Sequence, residues 1–151
     1  MPQAKEEEVA PGELVVLVVD DNIDAAMSLG CLLELLGCET AVAYDGPTAI
    51  QVAAVAHPHL AIIDLDLPGF DGCEVIRRLR ANGWIGPGAR ICLTGRGGPE
   101  DRTRCTEAGF DEFWSKPLEL SDLHRALASS REAVRGRLEQ QQGRGLGVKL
   151  Q

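Results

Sequence analysis

No apolar run in the 151-residue sequence approaches the roughly 18–20 residues of a membrane-spanning helix. The opening stretch, "MPQAKEEEVAPGE", has no apolar segment either, so it does not read as a signal peptide. Positive charge is short: 15 Lys and Arg stand against 23 Asp and Glu, for a net charge of −8. That balance argues against a nucleic-acid surface or an anionic membrane as the main partner. The five cysteines are odd in number, and no two stand at CxxC spacing. Neither a disulfide framework nor a zinc site is expected, and Cys92, inside an apolar run, reads as a small core residue. The expected compartment is the cytoplasm. No internal repeat is visible.

What is present is an alternation. "LVVLVV" (14–19) is short, continuous and β-branched, the pattern of a parallel strand buried on both faces. A helix carrying Ile23, Met27, Leu32, Leu33 and Leu36 follows, with Asp21 or Asn22 as its cap and Gly37 as its stop. "ETAVAY" (39–44) is a less apolar strand, nearer an edge, and residues 46–56 form an alanine-rich helix ended by Pro58. "LAIID" (60–64) is a strand and 71–81 an amphipathic helix through Val75, Ile76 and Leu79. "ARICL" (89–93), a charged helix at 99–108, the short strand "DEFW" (111–114) and a helix from about Glu119 with Leu120, Leu123 and Leu127 complete the series. Five strands alternating with five helices predict an α/β fold, a doubly wound parallel sheet with helices on both faces. Residues 1–12 read as a flexible acidic arm, 13–135 as the domain and 136–151 as a flexible polar tail. His57 and His59 read as solvated loop residues, and Trp84 as a cover over an edge.

In an open α/β sheet, ligands bind at the carboxyl ends of the strands. This sequence puts Asp20 and Asp21 after the first strand, Asp64 after the third, Thr94 after the fourth and Lys116 after the fifth. In the strand order 2-1-3-4-5, Asp45 after the second strand lies to the side. Carboxylates packed together repel unless a cation neutralises them. A hard, oxygen-liking cation is the natural choice, and Mg²⁺ leaves room for a phosphate oxygen in its shell. Lys116 and Thr94 are then placed to hold other phosphate oxygens, and a carboxylate nucleophile would form an aspartyl phosphate. Lys116-Pro117 is expected to be a cis bond, because the chain must turn there while aiming the ammonium inward.

"VVLVVDDN", "LAIIDLDLPGFDG", "CLTG" and "FWSKPLE" together resemble the receiver domain of two-component response regulators, in order, over about residues 14–128. The resemblance implies a flavodoxin-like (βα)5 sandwich of strand order 2-1-3-4-5. It makes Asp64 the phosphoacceptor, with Pro68 four residues after it. Asp20 and Asp21 become the Mg²⁺ pair, with Asp21 the closer ligand, and the backbone carbonyl of Asp66 completes the protein ligands. Thr94 and Lys116 would contact the phosphoryl group, and Gly95 would admit it. Thr94 and Phe113, three residues before Lys116, would form the switch. Asp66 and Arg96 would border the path of the hydrolytic water and tune the phosphate's lifetime, pairing across the mouth of the site.

The implied partners are a histidine kinase or histidine phosphotransfer protein and a downstream protein target, with homodimer formation left open and no nucleic acid or membrane. The implied role is signalling rather than turnover of a separate substrate. About 24 residues follow Leu127, too few for a DNA-binding module, so the signal is expected to pass by binding. A receiver excised from a hybrid histidine kinase is an alternative. "AIIDLDL" also matches the start of a haloacid dehalogenase-like phosphatase, with Asp64 as nucleophile and Asp66 as general acid. Against that stand the position of Asp20-Asp21 ahead of the lysine and the lack of room for a cap insertion. A degenerate receiver that never accepts phosphate would lack one of these groups, and all are present.

Overall fold

A computed structural model describes the backbone of residues 14–84, 86–95 and 97–150, and the side chains of that set through residue 140. The acidic arm assigned to 1–12 and Arg96 lie outside the described residues. The elements are β1 (Val15–Val19), α1 (Ile23–Leu35), β2 (Glu39–Ala43), α2 (Gly46–Ala56), β3 (Leu60–Asp64), α3 (Gly72–Ala81), β4 (Arg90–Thr94), α4 (Pro99–Ala108), β5 (Glu112–Ser115) and α5 (Leu120–Leu150). All strand pairs are parallel, and the sheet order is β2-β1-β3-β4-β5. This is the flavodoxin-like doubly wound sandwich.

The strand pleat sorts the core into two layers, because successive side chains point to opposite faces. Leu17, Val19, Ala61, Ile63 and Cys92 face α2, α3 and α4, where Ala49, Ala53, Val75, Ile76, Leu79 and Cys105 meet them. Val16, Val18, Leu60, Ile62, Ile91 and Leu93 face α1 and α5, against Leu33, Leu123, Leu127 and Val134. Each fully buried Leu, Ile or Val of this set contributes about 1.5–3 kcal/mol. β3, the middle strand, is buried at every position, whereas β2 at the edge is only partly buried until Ala43. That gradient is the one the apolar runs predict.

Helix starts are fixed locally. The side chains of Asn22, Asp45 and Asp71 accept the backbone N–H of Ala25, Thr48 and Glu74, satisfying donors that the first turn leaves open. Hydrogen bonding to Thr48, chiefly to its backbone N–H, holds the Asp45 carboxyl below its usual pKa. At the other end of α1, the Arg131 guanidinium donates to the Leu36 carbonyl at 2.7 Å, a cation where the helix dipole is negative.

Two expectations are corrected. The boundary expected at 135 falls inside α5: Val134 is buried and Leu138 packs on the same core layer, because they continue the apolar stripe of Leu123 and Leu127 at helical spacing. His59 is not merely solvated. It is partly buried, and its Nδ1 accepts the Val15 N–H at 2.9 Å, tying the turn before β3 to the start of β1. Trp84 Nε1 donates to the Pro58 carbonyl at 2.7 Å, closing the same end of the sheet.

Candidate functional site

Because all five strands run the same way, their carboxyl ends share one rim, and the following residues collect there. Asp20 is buried behind β1, and its Oδ1 accepts the Asn22 N–H at 3.0 Å, which fixes the carboxylate against the start of α1. Asp21 is exposed beside it. Asp64, the last residue of β3, is 4% exposed. Oxygens of Asp20, Asp21 and Asp64 lie within 4.8 Å of one another. Lys116, following β5, places Nζ 3.2 Å from Asp64 Oδ2 and 3.5 Å from Asp20 Oδ2. The Lys116-Pro117 peptide is cis.

Burial raises the pKa of Asp64; the Asp66 N–H and the Lys116 ammonium oppose that rise, and the Asp20 charge adds to it. Burial also disfavours the charge on Lys116, but Asp64 and Asp20 outweigh it and its pKa lies above the ordinary lysine value. Among the described residues, Lys116 pairs with Asp64 and Asp20, and Asp21 adds a third carboxylate to the group. The oxygen-only donor set and its surplus negative charge fit a hard divalent cation that keeps part of its water shell.

Thr94 ends β4 fully buried, and its hydroxyl donates to Asp66 Oδ2 at 2.9 Å. Asp66 donates its own N–H to Asp64 Oδ1 at 3.0 Å. Beside Gly95 the space is open: a Cβ there would meet nothing within 4 Å. At Gly72 the opposite holds, since a Cβ would lie 2.5 Å from the Asp64 carbonyl oxygen. Glycine at 72 therefore lets the start of α3 approach the end of β3. Phe113 on β5 is partly buried, with the Arg102 guanidinium 4.8 Å from its ring centroid. Asp45 caps α2 and takes no part in the cluster. Among the described residues at this rim, some contacts had no signal in the sequence. One is the Thr94–Asp66 bond, and another is the ion pair of Arg104 with Asp71 at 2.9 Å, which ties α4 to the start of α3.

A doubly wound sheet with three carboxylates, a hydroxyl and an ammonium at one rim defines a class of protein suited to a hard cation and a phosphoryl group. Within that class, the chain belongs to the response regulator receiver domain family, whose sequence profile matches residues 16–128. The transcriptional regulatory protein PrrA of Mycobacterium tuberculosis (strain ATCC 25618 / H37Rv) is 38% identical over 109 residues, covering 72% of this chain and 46% of PrrA. The sensor histidine kinase RcsC of Escherichia coli (strain K12) is 32% identical over 123 residues, covering 82% of this chain and 13% of RcsC. Among solved structures, the receiver domain of the Pseudomonas aeruginosa sensor histidine kinase PA1611, with a magnesium ion coordinated in its active site cleft, superposes with a TM-score of 0.70. It is 27% identical, and the match covers 80% of this chain and 98% of that one. The chain spans under half the length of PrrA and a much smaller share of RcsC. Receiver domains bind Mg²⁺ at an acidic pocket and interact with histidine kinases or phosphotransfer proteins. Among the described residues, no helix is long and apolar enough to cross a membrane.

Proposed function

We propose that Asp64 accepts a phosphoryl group from a histidine kinase or a histidine phosphotransfer protein. In this reading Mg²⁺ is held by the carboxylates of Asp20, Asp21 and Asp64 and by the Asp66 carbonyl. The observation that carries it is the convergence on Asp64: Lys116 Nζ at 3.2 Å and two further carboxylates within 4.8 Å. A carboxylate oxygen of Asp64 attacks phosphorus in line with the donor's P–N bond. The O–P bond forms as the P–N bond breaks, and the imidazole, protonated on its other nitrogen, leaves neutral. Lys116 neutralises charge on one phosphoryl oxygen and Thr94 donates its hydroxyl to another, beside the open space at Gly95. The bound cation supplies further neutralisation of the phosphoryl charge. Thr94 and Phe113 then carry the change to the β4–α4–β5 surface, which a downstream protein reads. The chain signals in this way and turns over no separate substrate.

Incubation with acetyl phosphate should add one phosphoryl group by mass in Mg²⁺ and none in a chelator. Asp64→Asn should abolish labelling, because an amide is not a nucleophile here. Full labelling of that variant would remove Asp64 from the role. The match to RcsC favours a second reading, a receiver from a hybrid sensor kinase. Onward transfer of the phosphoryl group from Asp64 to the histidine of a phosphotransfer protein would support it.

A further inference from the structure

The Thr94 hydroxyl, which the proposed function assigns to the phosphoryl group, is already engaged. It donates to Asp66 Oδ2 at 2.9 Å, and Asp66 is in turn anchored by its N–H on Asp64 Oδ1 at 3.0 Å. A threonine hydroxyl has one hydrogen to give. It cannot donate to Asp66 and to a phosphoryl oxygen at once. We propose that Asp66 is a latch on the switch, a positioning residue that holds Thr94 in its resting arrangement until a phosphoryl group on Asp64 takes the hydroxyl away. Both acceptors are anionic, so the exchange replaces one charge-assisted hydrogen bond with another. The gain from Thr94 on phosphorylation is therefore the difference between two similar bonds. The bond to Asp66 sets the threshold of the switch.

Asp66 also places a carboxylate near the incoming phosphoryl charge, and that repulsion does not depend on Thr94. A double-mutant cycle separates the two effects. The latch rests on the reading of Asp64 as phosphoacceptor, so the full chain is titrated with beryllofluoride, a phosphoryl mimic, in Mg²⁺, with Asp64→Asn as control. Binding is compared in the unaltered chain, Asp66→Ala, Thr94→Ala and the double variant. Asp66→Ala should tighten binding by about tenfold more when Thr94 is present than in the Thr94→Ala background. Asp66→Asn, whose amide oxygen still accepts the hydroxyl, should restore most of the unaltered behaviour toward Thr94. If Thr94→Ala does not fold, Thr94→Val fills the same space without a donor. Equal effects of Asp66→Ala in both backgrounds, with binding still dependent on Asp64, would overturn the latch alone. Binding that Asp64→Asn leaves unchanged would overturn the phosphoacceptor reading and the latch with it.

Discussion

At the scale of single residues, the polar side chains that matter most are those whose partners come from distant chain segments. His59 is one. Its Nδ1 accepts the Val15 N–H, so the ring must be unprotonated at that nitrogen. Burial lowers its pKa, and Arg137 lowers it further against the opposing charge of Glu39. The folded-state pKa thus lies below the unfolded value of about 6.5. Between the two values the unfolded chain binds more protons, so stability rises with pH. The contribution of His59 is complete above about pH 6.5 and is lost as pH falls through the folded value. The expected outcome is a fall in the urea midpoint between pH 7.5 and 5.5 that is smaller in His59→Gln, with the two proteins differing by about 1 kcal/mol at most. Identical pH profiles would mean that the ring's titration is not linked to folding.

At the scale of elements, α1, α2 and α3 are each started by a side-chain cap and held by a layer of the core. The start of α3 shows how closely the two are joined. Asp71 caps it, and Gly72 brings its first turn against the backbone of Asp64 and Leu65. A methyl group at 72 would stand 2.5 Å from one backbone atom and 2.9 Å from another, and neither can swing aside as a side chain tip could. Gly72→Ala should destabilise the fold by about 1–3 kcal/mol. It should also slow labelling of Asp64 by acetyl phosphate, because either β3 or α3 must give way. Denaturant unfolding and labelling rate check the two halves; unchanged values of both would mean that the turn relaxes freely. The surface ion pairs between elements, such as Arg104 with Asp71 and Arg90 with Asp111, involve partly exposed side chains and are worth about 0–1 kcal/mol each.

At the scale of the whole molecule, the fold carries an electrostatic strain at the rim formed by the carboxyl ends of its strands. Burial works against the charge on Asp64, so its ionised form is less favourable in the folded chain than in the unfolded one. Its raised pKa means that this cost is present above the folded value and relieved as pH falls below it. Removing the charge should stabilise the protein. In a chelator, Asp64→Asn is expected to melt a few degrees higher, for a gain on the order of 1 kcal/mol. Mg²⁺ should reverse the ranking by binding the unaltered chain more tightly; at tenfold over its Kd the cation contributes about 1.4 kcal/mol. A lower melting temperature for Asp64→Asn in chelator would show that attraction to Lys116 outweighs the cost of burial.

Much of this was legible in the chain itself. β1 and β3 could be read because strands buried on both faces must be apolar throughout, and the alternation with helices leaves few topologies open. Asp20, Asp21, Asp64, Thr94 and Lys116 were legible as a set because each ends a strand or follows one within two residues, and parallel strands end on one side. What the sequence did not carry were contacts between residues whose spacing has no period. Thr94 and Asp66 meet across two strands, His59 accepts from Val15 44 positions away, and Leu138 packs on the core beyond the point where the composition turns polar. A hydrogen bond needs two atoms within about 3 Å at the right angle, and only the packed tertiary structure sets that distance. Local pattern decides which residues reach the rim; packing decides which of them touch.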